Sequence, residues 1–157
     1  MKSLKNINAY SLAEFLVATL IFSFTLMGFY QLLNFVQTRS FVDNTNLLLQ
    51  QQARNGIDRF VREIRESSSS TITVIDANND RITFNTPNET GIQYYRSGNR
   101  LVREYPSGTI KNVSDYIAYF KCSKSGAVLT VNIRAQQTLY NKAFSILLVE
   151  KVRLRNE

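Results

Sequence analysis

One uninterrupted apolar stretch near the N-terminus constrains this chain more than any other feature of its sequence. Between Lys5 and Arg39 the only Asp, Glu, Lys or Arg is Glu14, and residues 15–36 are apolar apart from scattered small or uncharged polar residues. A helix of this length spans about 33 Å, close to the roughly 30 Å hydrocarbon core of a bilayer. A buried helix of a soluble protein normally shows a polar face, and this stretch shows none. We therefore predict a membrane-spanning helix.

The flanks of the stretch predict its orientation. The segment before it carries Lys2 and Lys5 and no acid, so the positive-inside rule places the N-terminus in the cytoplasm and the C-terminal domain outside it. A secretory signal peptide is the competing interpretation. It has a shorter apolar region and a small-residue cleavage site, and no Ala-x-Ala pattern follows Leu33. We therefore expect a single-pass protein of the cytoplasmic membrane.

The composition excludes many catalytic sites. The 157 residues contain no His and a single Cys, Cys122, which excludes imidazole-based catalysis, an internal disulfide and multi-cysteine metal clusters. Residues 76–80, with Asp at both ends, include side chains of the types that bind calcium. They lack the order of ligands found in a calcium-binding loop, so a turn is predicted there. Cys122 is most simply a small buried hydrophobe. We expect a protein that is not an enzyme, with no catalytic residue, metal site or cofactor.

The chain is basic, with 19 Lys and Arg against 12 Asp and Glu and a formal charge of +7. Such an excess invites a nucleic-acid or anionic-membrane partner. The basic residues, however, are spread from Lys2 to Arg155 and mostly alternate with acids, which favours a solvated surface over a dedicated nucleic-acid face. Tyrosines close to Arg leave a stacking surface for a ligand or DNA as a second interpretation, although strand aromatics more often pack in a core; they are Tyr94, Tyr95, Tyr105, Tyr116 and Tyr119.

Glu14 is the anomaly of the apolar stretch. A carboxylate costs about 2.5–3.5 kcal/mol at the centre of a membrane helix and less near the interface, so it should have a partner. Residues 9–18, AYSLAEFLVA, resemble the class III signal of type IV pilins and type II secretion pseudopilins. That signal is a short basic leader ending in Gly or Ala, then an aromatic residue, a small polar residue and Leu, Glu four residues after the aromatic residue, and an unbroken apolar helix. Here Ala9 and Tyr10 replace the commoner Gly and Phe.

The resemblance implies how the chain is processed and assembled. A prepilin peptidase would cut between Ala9 and Tyr10, the new amine of Tyr10 would be N-methylated, and Glu14 would pair with the N-terminal amine of a neighbouring subunit. Opposite charges attract far more strongly in a low-dielectric setting than in water. The implied partners are other pilin or pseudopilin subunits, the peptidase and the inner-membrane assembly platform.

The helical pattern continues beyond the membrane as an amphipathic helix. Opposite charges stand four residues apart on its polar side, as in Arg59 and Glu63. Ser67 to Ser70 end the helix because serines compete for backbone hydrogen bonds. One helix is predicted from about Tyr10 to Glu66, with residues 43–46 as a point where it could break. Its apolar positions recur at spacings of three, four and seven: Val42, Leu49, Ala53, Ile57, Phe60, Val61 and Ile64.

Beyond residue 71 the pattern is one of short strands and turns. Three hairpins are predicted, pairing 71–75 with 81–85, 92–95 with 100–104, and 116–122 with 127–134. A final strand over 143–154 contains the continuous apolar run of residues 146–149, which predicts a central, well-buried position. Successive hairpins form an antiparallel meander whose apolar face needs the amphipathic helix as a cover.

The sequence therefore predicts four segments and one fold class. The segments are a leader (1–9), a transmembrane or filament-core helix (10–36), an amphipathic helix packed on the sheet (37–67) and an antiparallel β domain (71–157). The fold class is α+β, a long N-terminal helix packed on an antiparallel β-meander sheet, as in a pilin-like fold.

Within the family the chain is most similar to the J-type minor pseudopilins and the PilW-like minor pilins. The similar features are the QAR…I…F…REIR pattern of residues 52–65, the IQYY and LVR patterns of residues 92–95 and 101–103, and the VRLRN ending. The resemblance implies a non-catalytic minor pilin or pseudopilin that helps start assembly of a type IV pilus or a type II secretion pseudopilus. Two alternatives stay open: a membrane-anchored ligand-binding or sensor protein with a small exported β domain, and a DNA-uptake pilin.

Overall fold

One long helix and eight strands make up the part of the chain that the computed structural model describes, residues 12–74, 80–106, 108–139 and 141–154. The internal contacts divide the chain into two units, Met1–Asp43 and Asn44–Glu157. Helix α1, Leu12–Arg65, runs through both, and all the strands belong to the second unit. The α+β layout of a long N-terminal helix packed on antiparallel sheets, which the sequence predicts for a pilin-like fold, is confirmed.

Helix α1 is continuous across residues 43–46, where the sequence allowed for a break in the helix. Its end at Arg65 lies one residue before the predicted end, whereas the predicted start at Tyr10 is outside the described residues. The serines after it turn the chain through a short 3₁₀ segment, Ser69–Thr71. The hydroxyls of Ser67 and Thr71 lie 3.0 Å apart in this turn, which is the local hydrogen bonding by which such residues compete with a helix.

The strands form two antiparallel sheets. The five-stranded sheet has the order β1-β2-β3-β4-β5 and the three-stranded sheet the order β6-β7-β8. The five strands of the first sheet are β1 (Thr73–Val74), β2 (Arg81–Phe84), β3 (Ile92–Ser97), β4 (Arg100–Glu104) and β5 (Ile110–Asp115). The three strands of the second are β6 (Ile117–Ser125), β7 (Val128–Leu139) and β8 (Lys142–Arg153).

The three predicted hairpins are present, as β1–β2, β3–β4 and β6–β7. Strand β5 is absent from the prediction because its residues 111–115, KNVSD, combine a low strand propensity with an exposed edge position. The predicted single meander is divided in two because the chain leaves the first sheet at Tyr116. This residue has a backbone φ of 62°, a left-handed conformation that side chains with a Cβ seldom adopt.

The last strand is present, but its predicted central, well-buried position is wrong. Strand β8 lies at the edge of its sheet, with β7 as its one neighbour among the described strands. Ile146 and Leu148 pack against the core, whereas Leu147 and Val149 are 50% and 52% exposed. Four consecutive apolar residues look the same in the sequence whether a strand is covered on one face or on two. The run therefore indicated a strand correctly but not its depth.

The core of the second unit lies between the helix and the two sheets. Phe60 of α1 is at its centre, with edge-to-face ring contacts to Phe84, Tyr94 and Phe120 at centroid distances of 6.1, 5.2 and 5.8 Å. Such pairs add about 0.5–1.5 kcal/mol to the gain from burial alone. Of the predicted apolar face of the helix, Val42 is only half-buried and the others are buried: Leu49, Ala53, Ile57, Phe60, Val61 and Ile64.

The buried helix face also contains Gly56, which the apolar pattern did not include. A Cβ built on Gly56 would lie 3.2 Å from Cδ2 of Leu101 and 3.5 Å from Cδ1 of Ile133. At Gly56, where the helix has no side chain, it therefore lies close to side chains of both sheets. A glycine in a helix costs about 1 kcal/mol relative to Ala, and here the close approach explains its presence.

Candidate functional site

Of the predicted processing and assembly residues, the structure describes Glu14. Ala9 and Tyr10, the predicted cleavage site, are outside the described residues. Glu14 is described, and it lies in the first turn of the helix. A carboxylate is favoured there because the unpaired amides and the helix dipole give the N-terminus a partial positive charge. Cleavage and methylation remain predictions, and the structure adds the placement of Glu14.

Around Glu14 the helix surface is apolar. Glu14 borders a shallow depression that it shares with Ala13, Val17, Ala18 and Ile21. The depression beside the carboxylate forms because the side chains of Ala13 and Ala18 are small. The described residues that share this depression with Glu14 are therefore all apolar.

From Leu12 to Val36 every side chain of the helix is exposed. The exposed fraction of the large apolar side chains ranges from 45% for Leu33 to 80% for Leu12. This segment is long and apolar enough to cross a membrane. A water-soluble monomer rarely exposes a contiguous apolar surface of this size.

Three Ser and Thr hydroxyls in this segment are bonded within the helix itself. The hydroxyls of Thr19, Ser23 and Thr25 donate to the backbone carbonyls of Leu16, Thr19 and Ile21 at 2.9, 2.7 and 2.9 Å. Such bonds to the preceding turn satisfy the hydroxyl donor without water. These three side chains are thereby compatible with an apolar surrounding.

A polar contact joins the second part of α1 to strand β5. The backbone amide of Asp115 donates to Oε1 of Gln52 at 3.0 Å, and the Ser114 hydroxyl donates to the Gln52 backbone carbonyl at 2.5 Å. The Gln52 side chain thus supplies an acceptor to an edge strand, which carries unpaired backbone groups. Sequence reasoning did not single out Gln52 or Ser114, since neither belongs to an apolar or a charged pattern.

Arg103 of β4 is a buried cation that the sequence analysis also missed. Its side chain is 6% exposed, and its guanidinium donates to Oε2 of Glu63 from α1 at 2.7 Å and to Oε2 of Glu89 at 2.5 Å. It also lies 3.8 Å from the centroid of the Tyr105 ring. Burial alone would lower the pKa of Arg103, but the hydrogen bonds to Glu63 and Glu89 outweigh it and raise the pKa above its usual range. Arg103 is a charged link between helix, sheet and loop.

The five tyrosines do not form one stacking surface. Tyr94 is fully buried in the core, where burial raises its pKa. Tyr95 faces Arg81 at 4.3 Å, Tyr105 faces Arg103, and Tyr119 lies near Lys121 and Arg134 of the other sheet. Each of these three half-buried rings therefore has its own local cation. Tyr116 serves the chain reversal between the sheets instead.

The remaining candidates carry no chemistry in the described residues. Cys122 is fully buried, as expected for a small hydrophobe, and burial raises the pKa of its thiol far above its usual range. In the described part of the chain, no group of three His, Cys, Asp or Glu side chains is arranged to hold a metal ion. Of the predicted turn at 76–80 only Asp80 is described.

Comparison with known proteins adds no relative: no protein-family model matches the chain, and searches of curated proteins and of solved structures find no significant match. The candidate site is therefore defined by its own geometry, an apolar helix surface with one carboxylate in its first turn.

Proposed function

We propose that the chain is a minor pilin or pseudopilin, a non-catalytic subunit that takes part in assembly or priming of a type IV pilus or a type II secretion pseudopilus. It waits in the inner membrane as a single-pass protein with its N-terminus in the cytoplasm. A prepilin peptidase removes the leader, and the chain then enters the filament through its N-terminal helix.

The observation that carries the proposal is the exposed apolar surface of α1 with Glu14 in its first turn. A surface of this kind suits two environments in succession, the bilayer before assembly and the helices of neighbouring subunits after it, because both are apolar. The same helix continues into the second unit, where residues from Leu49 to Ile64 pack on the sheets. One continuous helix thereby contributes both to the membrane or filament core and to the exported domain.

Glu14 sets the register between subunits in this proposal. An ion pair in an apolar setting is strongly favoured where both partners meet, and a charge without its partner is costly there, so only positions with matched charges are stable. The partner proposed for the Glu14 carboxylate is the methylated amine of Tyr10 of a neighbouring subunit. The ion pair therefore selects one axial offset between neighbouring helices. Contacts between their apolar surfaces alone would not fix this offset.

The leader cleavage is tested at the N-terminus of the mature protein. Mass spectrometry of the chain from its own membrane should give a mature N-terminus at methylated Tyr10. Ala9→Leu should leave the full precursor because the peptidase site takes a small residue before the cut, whereas Ala9→Gly should be processed normally. A wild-type protein that begins at unmodified Met1 would contradict the proposal and favour a permanently anchored binding or sensor protein.

The register role is tested by Glu14→Ala. This variant should be cleaved and inserted into the membrane as the wild type is, but its amount in sheared filaments should fall at least about tenfold, the change expected from about 1.4 kcal/mol of lost pairing. Ser23→Ala is the matched control, since its hydroxyl bonds only to the Thr19 carbonyl of its own helix, and it should assemble normally. Normal incorporation of Glu14→Ala would remove the register argument.

A further inference from the structure

The outer face of the three-stranded sheet gathers basic residues that are scattered in the sequence. Residues that pair across antiparallel strands share a face, and β7 alternates between buried residues at 129, 131, 133 and 135 and outward residues between them. By this register Lys121 of β6, Arg134 of β7, and Lys151 and Arg153 of β8 all lie on the outer face. These four residues are called the basic face.

The basic face has no acidic neighbour within the sheet. The other outward residues are uncharged, and none of the described residues on this face is Asp or Glu: Tyr119, Ser123, Ser125, Val128, Thr130, Asn132, Gln136, Thr138, Ala143, Ser145, Leu147 and Val149. Glu150, the one acid of these three strands, points to the opposite face because it pairs with buried Val131. Other basic residues of the second unit do meet carboxylates, since Arg100 pairs with Asp115 and Arg103 with Glu63.

One ring organises two of these cations. Nζ of Lys121 lies 5.5 Å and Cζ of Arg134 5.6 Å from the centroid of Tyr119, which pairs directly with Arg134 across the strands. Cation–π attraction draws both positive charges towards the ring. Tyr119 therefore holds both side chains near the face and adds a flat aromatic surface beside them.

We propose that the basic face binds the phosphodiester backbone of single-stranded DNA. The charge complementarity is direct, since four cations with no acid among the described outward residues of the same sheet attract a chain of phosphates. The uncharged Thr130 and Asn132 between them offer hydrogen bonds to phosphate and sugar. A flexible single strand can follow these cations, whose nearest neighbours lie about 7–12 Å apart over the sheet, and one base can stack on Tyr119. This binding is separate from the role in filament assembly and does not depend on it.

The test uses the full chain in nanodiscs of zwitterionic lipid and a fluorescent oligo-dT of about 20 nucleotides, followed by fluorescence anisotropy. Binding should weaken with salt, with a log–log slope of about −3 for four phosphate contacts. Lys151→Glu with Arg153→Glu should weaken binding by about tenfold or more at low salt and should flatten the slope to about −1.4. No binding of the wild type at low salt would overturn the proposal.

The matched control is the double variant Arg96→Glu with Lys111→Glu, which makes the same charge change at exposed residues of the five-stranded sheet. It should change the affinity by less than about twofold. An equal loss in both double variants would mean attraction to net charge alone and would overturn the site. Thermal denaturation checks that all four substitutions leave the fold intact.

Two further arms define the ligand. A duplex of the same length should bind more weakly, since its rigid backbone reaches fewer of the four cations, and polyglutamate at equal charge should compete poorly. Tighter duplex binding, or polyglutamate that competes equally, would overturn the assignment in favour of a duplex or an acidic protein. Tyr119→Ala should weaken binding severalfold while Tyr119→Phe, which keeps the ring, should not.

Discussion

Arg103 places a full positive charge inside the second unit, held between the Glu63 carboxylate of the helix and the Glu89 carboxylate of the loop before β3. Its burial could not be predicted from the sequence. A register shift between Leu101 and Val102 interrupts the alternation of β4, so that three successive residues, Leu101 to Arg103, are buried. An irregularity of this kind leaves no periodic signal.

Removal of the Arg103 side chain should destabilise the protein more than removal of an exposed Arg. Arg103→Ala leaves two carboxylates facing each other without their cation, and we expect a loss of about 2–3 kcal/mol in the free energy of unfolding, reduced from the value for a fully buried pair because Glu89 is partly exposed. Arg100→Ala, which breaks the exposed pair with Asp115, should cost less than about 1 kcal/mol. Thermal or denaturant unfolding of both variants gives the comparison, and equal losses would contradict it.

The Cys122 thiol should react only when the protein opens. Burial keeps it protonated, so a thiol reagent at mildly alkaline pH should label the native chain slowly and label the denatured chain at once. Because the pKa of the thiol is raised in the folded state, the free energy of unfolding depends on pH. The contribution of the protonated thiol to stability is present below the usual thiol pKa of about 8.5 and is lost as the pH rises above it. Rapid labelling of native protein would contradict the burial, and Cys122→Ala should flatten the alkaline loss of stability.

Among the elements, the helix was the most predictable from the sequence. Its apolar spacing identified the buried positions from Leu49 to Ile64, because a helix that packs on a sheet must repeat its contacts every three or four residues. The burial of Gly56 and Thr45 was not predicted, because neither a glycine at a close approach nor a buried hydroxyl belongs to an apolar pattern. The predicted ion pair between Arg59 and Glu63 is present at 3.6 Å.

Strand depth was less predictable than strand position. Strand β7, with its strict alternation of buried and outward residues, is central, whereas β8 is an edge strand although it carries the longer apolar run. Depth depends on which strands pair on either side, and this is decided by the whole sheet rather than by one segment.

The difference in depth predicts unequal costs for one substitution at two positions. Leu129→Ala on β7 removes a fully buried side chain and should lower the free energy of unfolding by about 2–4 kcal/mol. Leu147→Ala on β8 removes a half-exposed one and should cost less than about 1 kcal/mol. Denaturant unfolding of the two variants measures both, and a larger loss at Leu147 would restore the central position that the sequence suggested.

At the scale of the whole molecule, the hydrophobic core belongs to one unit only. Among the described residues, all the buried apolar side chains lie between Leu49 and Leu154, whereas the described part of the first unit contributes an exposed apolar helix. The net charge gave no hint of how the basic residues are arranged in space. Their gathering on the outer face of β6–β8 follows from strand register, which a linear reading of Lys and Arg positions does not contain.

A fragment of residues 44–157 should therefore fold without the apolar segment. We expect it to be soluble without detergent and to unfold cooperatively, because the whole core is retained. The full chain should need lipid or detergent, because the exposed helix from Leu12 to Val36 is retained. Gel filtration and thermal unfolding of both chains test this, and an aggregated fragment with no cooperative transition would show that the core depends on the first unit.

The hydroxyls of Thr19, Ser23 and Thr25, each closed onto a carbonyl one turn earlier, have a consequence for transfer between surroundings. Because these three hydroxyls have acceptors within their own helix, they have no hydrogen bonds to break when the helix moves from one apolar environment to another. These three groups therefore add no energetic cost to the transfer. Glu14 is the only charged side chain from Leu12 to Val36, and its free energy can differ between the two environments.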